Sequence, residues 1–229
     1  MHFLIPAAGM GRRMGADRNK VLLTLLNRPL IAWTLLAAEK AQSISWIGLI
    51  CQENDRGMLK EIVNTLNLKT PVIFIPGGSS RQESVYNGLC QLPTSAERVM
   101  IHDGARCLAT ADLLNRCAAA LQEVSGLIAA VPVKDTIKVV NEQNHVEHTP
   151  DRHQLWSAQT PQGFDARLLK ECHEEGLRRG WIVTDDAALF EKLQLSVKIV
   201  PGEETNIKVT TPEDLAIAEI ILRRRGSES

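Results

Sequence analysis

Long-range charge is nearly absent from this sequence. Lys and Arg number 26 against 27 Asp and Glu, a formal net charge of -1, so nothing steers the chain as a whole toward nucleic acid. Any attraction for anions must come from local clusters. Also missing is a run of about eighteen apolar residues, so no membrane-spanning helix is expected. Met1-His2-Phe3 leads straight into a first apolar segment with no charged leader and no cleavage site, and the cytoplasm is the expected compartment. The five cysteines (Cys51, Cys90, Cys107, Cys117, Cys172) are scattered and never in C-x-x-C spacing, which fits small buried or half-buried thiols under reducing conditions. No G-x-S-x-G, H-E-x-x-H or G-x-x-x-x-G-K-[ST] occurs, and with them go the commonest hydrolase, metalloprotease and P-loop chemistries.

What is present begins at Phe3-Leu4-Ile5, which reads as a short buried strand. It runs into Pro6-Ala7-Ala8-Gly9-Met10-Gly11-Arg12-Arg13-Met14-Gly15 and closes at Lys20. A glycine-rich turn beyond the carboxyl end of a strand is where open α/β sheets collect ligands. Glycine lets backbone N–H groups converge on an anion, and Arg12, Arg13, Arg18 and Lys20 face the single acid Asp17, a balance suited to a polyphosphate. The spacing Gly9-x-Gly11-x-x-x-Gly15 misses the dinucleotide fingerprint by one residue. A plain turn with a solvated basic face has the same composition, and glycines and charges alone do not separate the two readings.

With 229 residues and 44% hydrophobic content, the chain can bury one substantial core, and one domain is expected. Strand and helix alternate: helix over Pro29–Lys40, strand over Ile44–Cys51, helix over Asp55–Leu66, strand over Val72–Ile75, a helix opening after Gly77-Gly78, strand over Arg98–His102, helix over Thr110–Val124 and strand over Gly126–Val133. That pattern predicts an α/β fold, a Rossmann-like open and mostly parallel sheet with helices on both faces. Residues 134–149 alternate polar and apolar around Asn141-Glu142-Gln143-Asn144 and predict a β-hairpin that is poor core material and leaves the domain as a protruding arm. Helices over Ala166–Arg179 and from Thr184-Asp185-Asp186-Ala187, a strand over Val197–Val200, and a last helix starting at Thr211-Pro212-Glu213-Asp214 complete the reading. His145, His148 and His153 are close in sequence, but a solvated arm accounts for them better than a metal site.

The first turn with Lys20 resembles the signature of nucleotidyltransferases that attach a nucleoside monophosphate to a phosphorylated sugar or polyol. Further motifs sharpen the resemblance: Gly77-Gly78-x-x-Arg81-x-x-Ser84-Val85, His102-Asp103-Gly104-Ala105-Arg106, Asp151-Arg152, Leu155-Trp156, Thr160-Pro161-Gln162-x-Phe164 and Asn206-Ile207-Lys208-Val209-Thr210-x-Pro212-Glu213-Asp214. In this order, from Pro6 to Asp214, they resemble the 2-C-methyl-D-erythritol 4-phosphate cytidylyltransferase family. Two positions depart from it: Ser79 stands where members often have Asp, and Cys107 where a proline is usual.

The resemblance implies cytidylyl transfer from CTP to a phosphorylated polyol, with Mg²⁺ or another divalent cation carried mainly on the CTP phosphates near Asp103. It implies Arg13, Lys20, Arg152 and Lys208 as catalytic groups. CTP is expected on Pro6, Ala7, Ala8, Gly9, Gly11, Gly78, Ser84, Asp103 and Gly104, and the acceptor on Arg106, Thr136, Arg152, Thr160, Thr184 and Lys208. The family uses its arm to embrace a second subunit, so 1–229 is expected to form one nucleotidyltransferase domain, with 134–153 making a homodimer. Read without the resemblance, Ser79 or Ser80 is a helix N-cap, Asp103 caps the helix near Thr110 and Arg152 is half of a surface ion pair. A cytidylyltransferase for another polyol such as ribitol 5-phosphate would share these motifs, and a non-catalytic nucleotide-binding module could share the fold.

Overall fold

Phe3 and Ile5 face one side of the first strand, β1 (His2–Pro6), and Leu4 faces the other. All three are fully buried, so this strand needs cover on both faces, as central parallel strands do. The computed structural model describes residues 1–9 and 19–227. Gly11 and Arg13 lie outside the described residues.

After a 3-10 turn at Lys20–Leu22 and a small hairpin of β2 (Thr24–Leu25) and β3 (Arg28–Pro29), helices and strands alternate. They are α1 (Leu30–Lys40), β4 (Trp46–Cys51), α2 (Glu53–Leu66), β5 (Val72–Pro76), α3 (Arg81–Cys90), β6 (Arg98–Ile101), α4 (Ala111–Ala120) and β7 (Gly126–Pro132). Then come the hairpin β8 (Val139–Val140) and β9 (Val146–His148), the long strand β10 (Trp156–Asp165), α5 (Ala166–Arg178), α6 (Ala187–Lys192), β11 (Lys198–Pro201) and α7 (Pro212–Ser227).

One seven-stranded sheet carries the order β11-β7-β10-β6-β1-β4-β5. Every pairing in it is parallel except those of β10, which runs antiparallel between β6 and β7. On one face Phe3, Ile5 and Leu49 pack with Leu35 of α1, Leu59 of α2 and Leu113 of α4. On the other, Leu4 and Ile50 pack with Val85 of α3, Leu169 of α5 and Phe190 of α6. A third cluster joins Leu25, Leu30 and Leu108 to Val209 and Ala218, which anchors α7. The expected α/β architecture is therefore present.

Two expectations need correction, and one strand, Trp156–Asp165, is not foreseen by the sequence pattern. Helix α4 stops at Ala120 rather than Val124. In the hairpin, only Val139–Val140 pairs with Val146–His148. Asn141 Oδ1 accepts the N–H groups of Gln143 and His145 across the turn, while 134–138 is exposed and without regular structure.

Candidate active site

The loops that follow β1, β5 and β6 meet at the carboxyl ends of these strands, where the 3-10 turn and the loop before α7 join them around a cleft of about 540 Å³. Pro6 to Gly9 forms one wall, Lys20 and Val21 another, Gln52 and Gly78 to Arg81 a third, and Asp103 to Ala105 with Lys208 the floor. The loops are locked to each other by main-chain bonds: Ala7 N–H to Ile50 O, Gly77 N–H to Cys51 O and Gly104 N–H to Pro6 O. Gly77 is required at its position, because a Cβ there would come within 2.6 Å of Ala8 Cβ.

Lys20 is set by its neighbour. Asn19 is buried, donates from Nδ2 to Ala7 O and to Asp55 Oδ2, and accepts the Val21 N–H on Oδ1. One side chain thus ties the first loop, α2 and the 3-10 turn together.

The wall before α3 is satisfied internally. Ser84 Oγ accepts the Gly78 N–H at 2.9 Å and donates to Ser80 O at 2.8 Å, while Gly78 O accepts from Gln52 Nε2 at 3.2 Å. Ser80 is the N-cap, accepting Glu83 N–H at 3.0 Å, and Glu83 in return receives both the N–H and the hydroxyl of Ser79. This variant of the capping box holds Ser79 on the helix end.

Asp103 gathers the charge. Oδ1 faces Arg81 Nε at 3.3 Å, Oδ2 faces Lys208 Nζ at 2.7 Å, and Arg106 Nε lies 4.0 Å away. Burial pushes the carboxyl up, but Arg81 and Lys208 outweigh it and hold Asp103 well below the usual carboxylate range. Burial likewise opposes the Arg81 charge, and Asp186 and Asp103 more than offset it. Asp103 does not cap α4. Thr110 does, through its hydroxyl and the Leu113 N–H.

Beneath Asp103 runs a directed hydrogen-bond chain. The Asp103 N–H donates to Thr160 Oγ1 at 3.0 Å, Thr160 Oγ1 lies 3.0 Å from His102 Nδ1, and His102 Nε2 lies 3.1 Å from Arg106 O. A carbonyl can only accept, so Nε2 carries the proton and the Thr160 hydroxyl donates to Nδ1. That arrangement suits neutral imidazole, and burial lowers the His102 pKa to about 4.

Of the residues expected at the acceptor, Lys208 lines the cleft, and its loop is held by Val209 N–H donating to Ala105 O. Thr160 is buried below the floor, and Arg106 donates to the carbonyls of Asn206 and Ala158. Thr136 and Thr184 are exposed outside the cleft, as is Arg152, which donates to Lys134 O at 3.3 Å. The residues that sequence reasoning missed are Gln52, Arg81 and Asp186. Asp186 stands at the start of the helix that begins in Thr184-Asp185-Asp186-Ala187, yet it makes no capping bond and turns inward to Arg81, while Asp185 accepts the Ala188 N–H. Among the described residues no cluster of His, Cys, Asp or Glu is arranged to hold a metal ion, so His145, His148 and His153 are not assembled as ligands. Nor is any helix among them long and apolar enough to cross a membrane.

Comparison with known proteins agrees along the whole chain. Residues 1–224 match the family described as 2-C-methyl-D-erythritol 4-phosphate cytidylyltransferase. A protein of that name from Nostoc sp. is 66% identical over 227 residues, covering 99% of this chain and 100% of the relative. Another, from Acaryochloris marina, is 66% identical and covers 98% of this chain and 95% of its own. The fold is similar to the crystal structure of 4-diphosphocytidyl-2C-methyl-D-erythritol synthase from Anaerococcus prevotii, with a TM-score of 0.88, 32% identity and coverage of 97% and 98%. It is also similar to that of the cytidylyltransferase from Thermus thermophilus, with a TM-score of 0.77, 30% identity and the same coverage.

Proposed function

The chain belongs to the 2-C-methyl-D-erythritol 4-phosphate cytidylyltransferase family, and we propose that the cleft around Asp103 is where it performs the transfer this membership entails. A cytidylyl group passes from CTP to 2-C-methyl-D-erythritol 4-phosphate, giving the CDP-linked polyol and pyrophosphate, in isoprenoid precursor synthesis. The observation that carries the assignment is the convergence of Pro6 to Gly9, Lys20, Gly78, Ser84, Asp103, Gly104 and Lys208 on one cleft.

The acceptor's phosphate oxygen attacks the α-phosphorus of CTP as the bond to the pyrophosphate oxygen breaks. That oxygen is ionised at neutral pH, so no base has to remove a proton. The difficulty is bringing two anions together and stabilising charge on the α-phosphate and the leaving pyrophosphate. Lys20, with Arg13 and the Gly9–Gly11 backbone, is assigned to the α-phosphate. Pro6 to Ala8, Gly78 and Ser84 take the nucleoside, with Asp103 and Gly104 at the ribose. Since the Gly78 amide and the Ser84 hydroxyl already bond each other, the base is read by what this loop leaves exposed. Lys208 and Arg152 take the acceptor phosphate, with Arg106, Thr136, Thr160 and Thr184 around the polyol.

Hard divalent cations take oxygen ligands. Among the described residues Asp103 is the one carboxylate lining the cleft, and both of its oxygens face cations. The donor set therefore fits a cation brought in on the CTP phosphates with Asp103 alongside, not one caged by protein. Such a cation, Mg²⁺ in this reading, supplies charge neutralisation. A homodimer through 134–153 accounts for the exposed Ile137, Val140, Val146 and Trp156, and residues 1–229 form one catalytic domain per subunit. Five free cysteines, four of them buried, agree with a cytoplasmic protein.

The test is pyrophosphate release with CTP, ATP, GTP and UTP against 2-C-methyl-D-erythritol 4-phosphate and ribitol 5-phosphate. Turnover is expected with CTP and the methylerythritol phosphate. Preference for ribitol 5-phosphate would reassign the acceptor, and CTP binding without turnover would make the chain a nucleotide-binding module.

A further inference from the structure

Arg81 reaches two carboxylates at once. Its Nη2 lies 2.8 Å from Asp186 Oδ2, and its Nε lies 3.3 Å from Asp103 Oδ1. Asp186 is buried behind the cleft, and its other oxygen accepts from His173 Nε2 at 3.2 Å. Its own N–H donates to Gln162 Oε1 at 3.1 Å, so β10, α5 and the start of α6 all hold it. A carboxylate this deep is costly unless paired, and the pairing fixes where the Arg81 guanidinium can stand.

The geometry divides Asp103 between two cations, with Arg81 on Oδ1 and Lys208 on Oδ2. Without the charge of Asp186, Arg81 would have one carboxylate left. Its planar fork would then be free to take both oxygens of Asp103, the bidentate arrangement that guanidinium and carboxylate favour. Lys208 would be displaced.

We propose that Asp186 is a positioning residue, which through Arg81 keeps one oxygen of Asp103 for Lys208 and so sets where the Lys208 ammonium meets the acceptor phosphate. The proposal rests on the acceptor-binding reading of Lys208 given above. It also explains why an acid beside a helix start leaves the capping to its neighbour Asp185.

A double-mutant cycle of Asp186→Asn and Lys208→Ala tests it, with kcat and the KM of each substrate measured on the full chain. Asn keeps the shape and an acceptor oxygen but not the charge. Alone, Asp186→Asn is expected to lower kcat/KM for the acceptor roughly 10- to 100-fold, the scale of a misplaced substrate-binding group, with KM for CTP unchanged within about twofold. On the Lys208→Ala background it should cost less than about threefold. Losses that multiply would overturn the proposal, because Asp186 would then act independently of Lys208. If Lys208→Ala alone turns over like wild type, the reading of Lys208 fails first, and that single variant reveals it. Should Asp186→Asn not fold by circular dichroism, Arg81→Lys enters the same cycle. One ammonium cannot span both carboxylates, so the same non-additivity is expected and multiplying losses again refute the idea.

Discussion

Lys208 Nζ stands 2.7 Å from Asp103 Oδ2, although 105 positions separate the two residues in the chain. The carboxylate collects two cations directly and a third at 4.0 Å, so its loss should be felt throughout the cleft. Asp103→Asn is expected to lower kcat about 100-fold, the scale for one preorganised electrostatic group. Pyrophosphate release from CTP by the folded variant measures this, and wild-type turnover would remove Asp103 from its proposed role.

Lys20 should matter for rate more than for binding. Lys20→Ala is expected to lose about 100-fold or more in kcat with a much smaller change in CTP affinity, because the interaction proposed for it grows as charge develops on the α-phosphate. Single-turnover kinetics beside CTP titration by calorimetry would separate the two effects.

Arg152 lies outside the cleft in one chain, which makes the question of who supplies it testable. If it acts across a homodimer, Lys20→Ala and Arg152→Ala are each nearly inactive alone. Refolding equal amounts together should then restore about one quarter of the sites, since half the dimers are mixed and each mixed dimer has one intact site. Verified mixed dimers with no activity would assign each Arg152 to its own subunit.

The His102 chain predicts a pH dependence of stability. An unfolded histidine titrates near pH ~6.5, whereas burial lowers folded His102 to about 4. Its folded pKa is depressed, so its contribution is fully present above pH ~6.5 and is lost as pH falls toward about 4. At pH ~5 the loss from this one group is about 2 kcal/mol. Urea unfolding between pH ~8 and ~5 should show that decline, and His102→Gln, which keeps a donor and an acceptor but does not titrate, should flatten it. Below pH ~4 the depressed carboxyl of Asp103 adds a further loss of the same sign.

Much of the architecture could be read in advance because its signals are local. The buried run at Phe3-Leu4-Ile5, the apolar stripe of α1 and the capping residues before α7 all announce themselves within a few positions. Strand β10 could not be read that way, because Pro161 and Gly163 look like punctuation. Yet pairing with β7 jumps from Ala158 to Gln162, and pairing with β6 begins only at Gln162. Pro161 therefore sits in a bulge where it has no ladder bond to lose. The motif residues Lys20, Asp103 and Lys208 were legible as a set, and they do line one cleft. Asp186 was not, since an acid at a helix start satisfies a local rule by itself. Its real partner, Arg81, is brought to it only by α3 and α6 packing on the same face of the sheet.

The excursion between β7 and β10 leaves and rejoins the body at a single rung. Pro132 is registered with Trp156, and Val133 N–H donates to Leu155 O at 3.0 Å. The segment between those doorposts adds no strand to the seven-stranded sheet, so a change in its length would leave the register of β7 with β10 as it is. In the proposed reading, subunit pairing and acceptor fit can therefore be tuned in this arm apart from the groups that meet the triphosphate at the first loop.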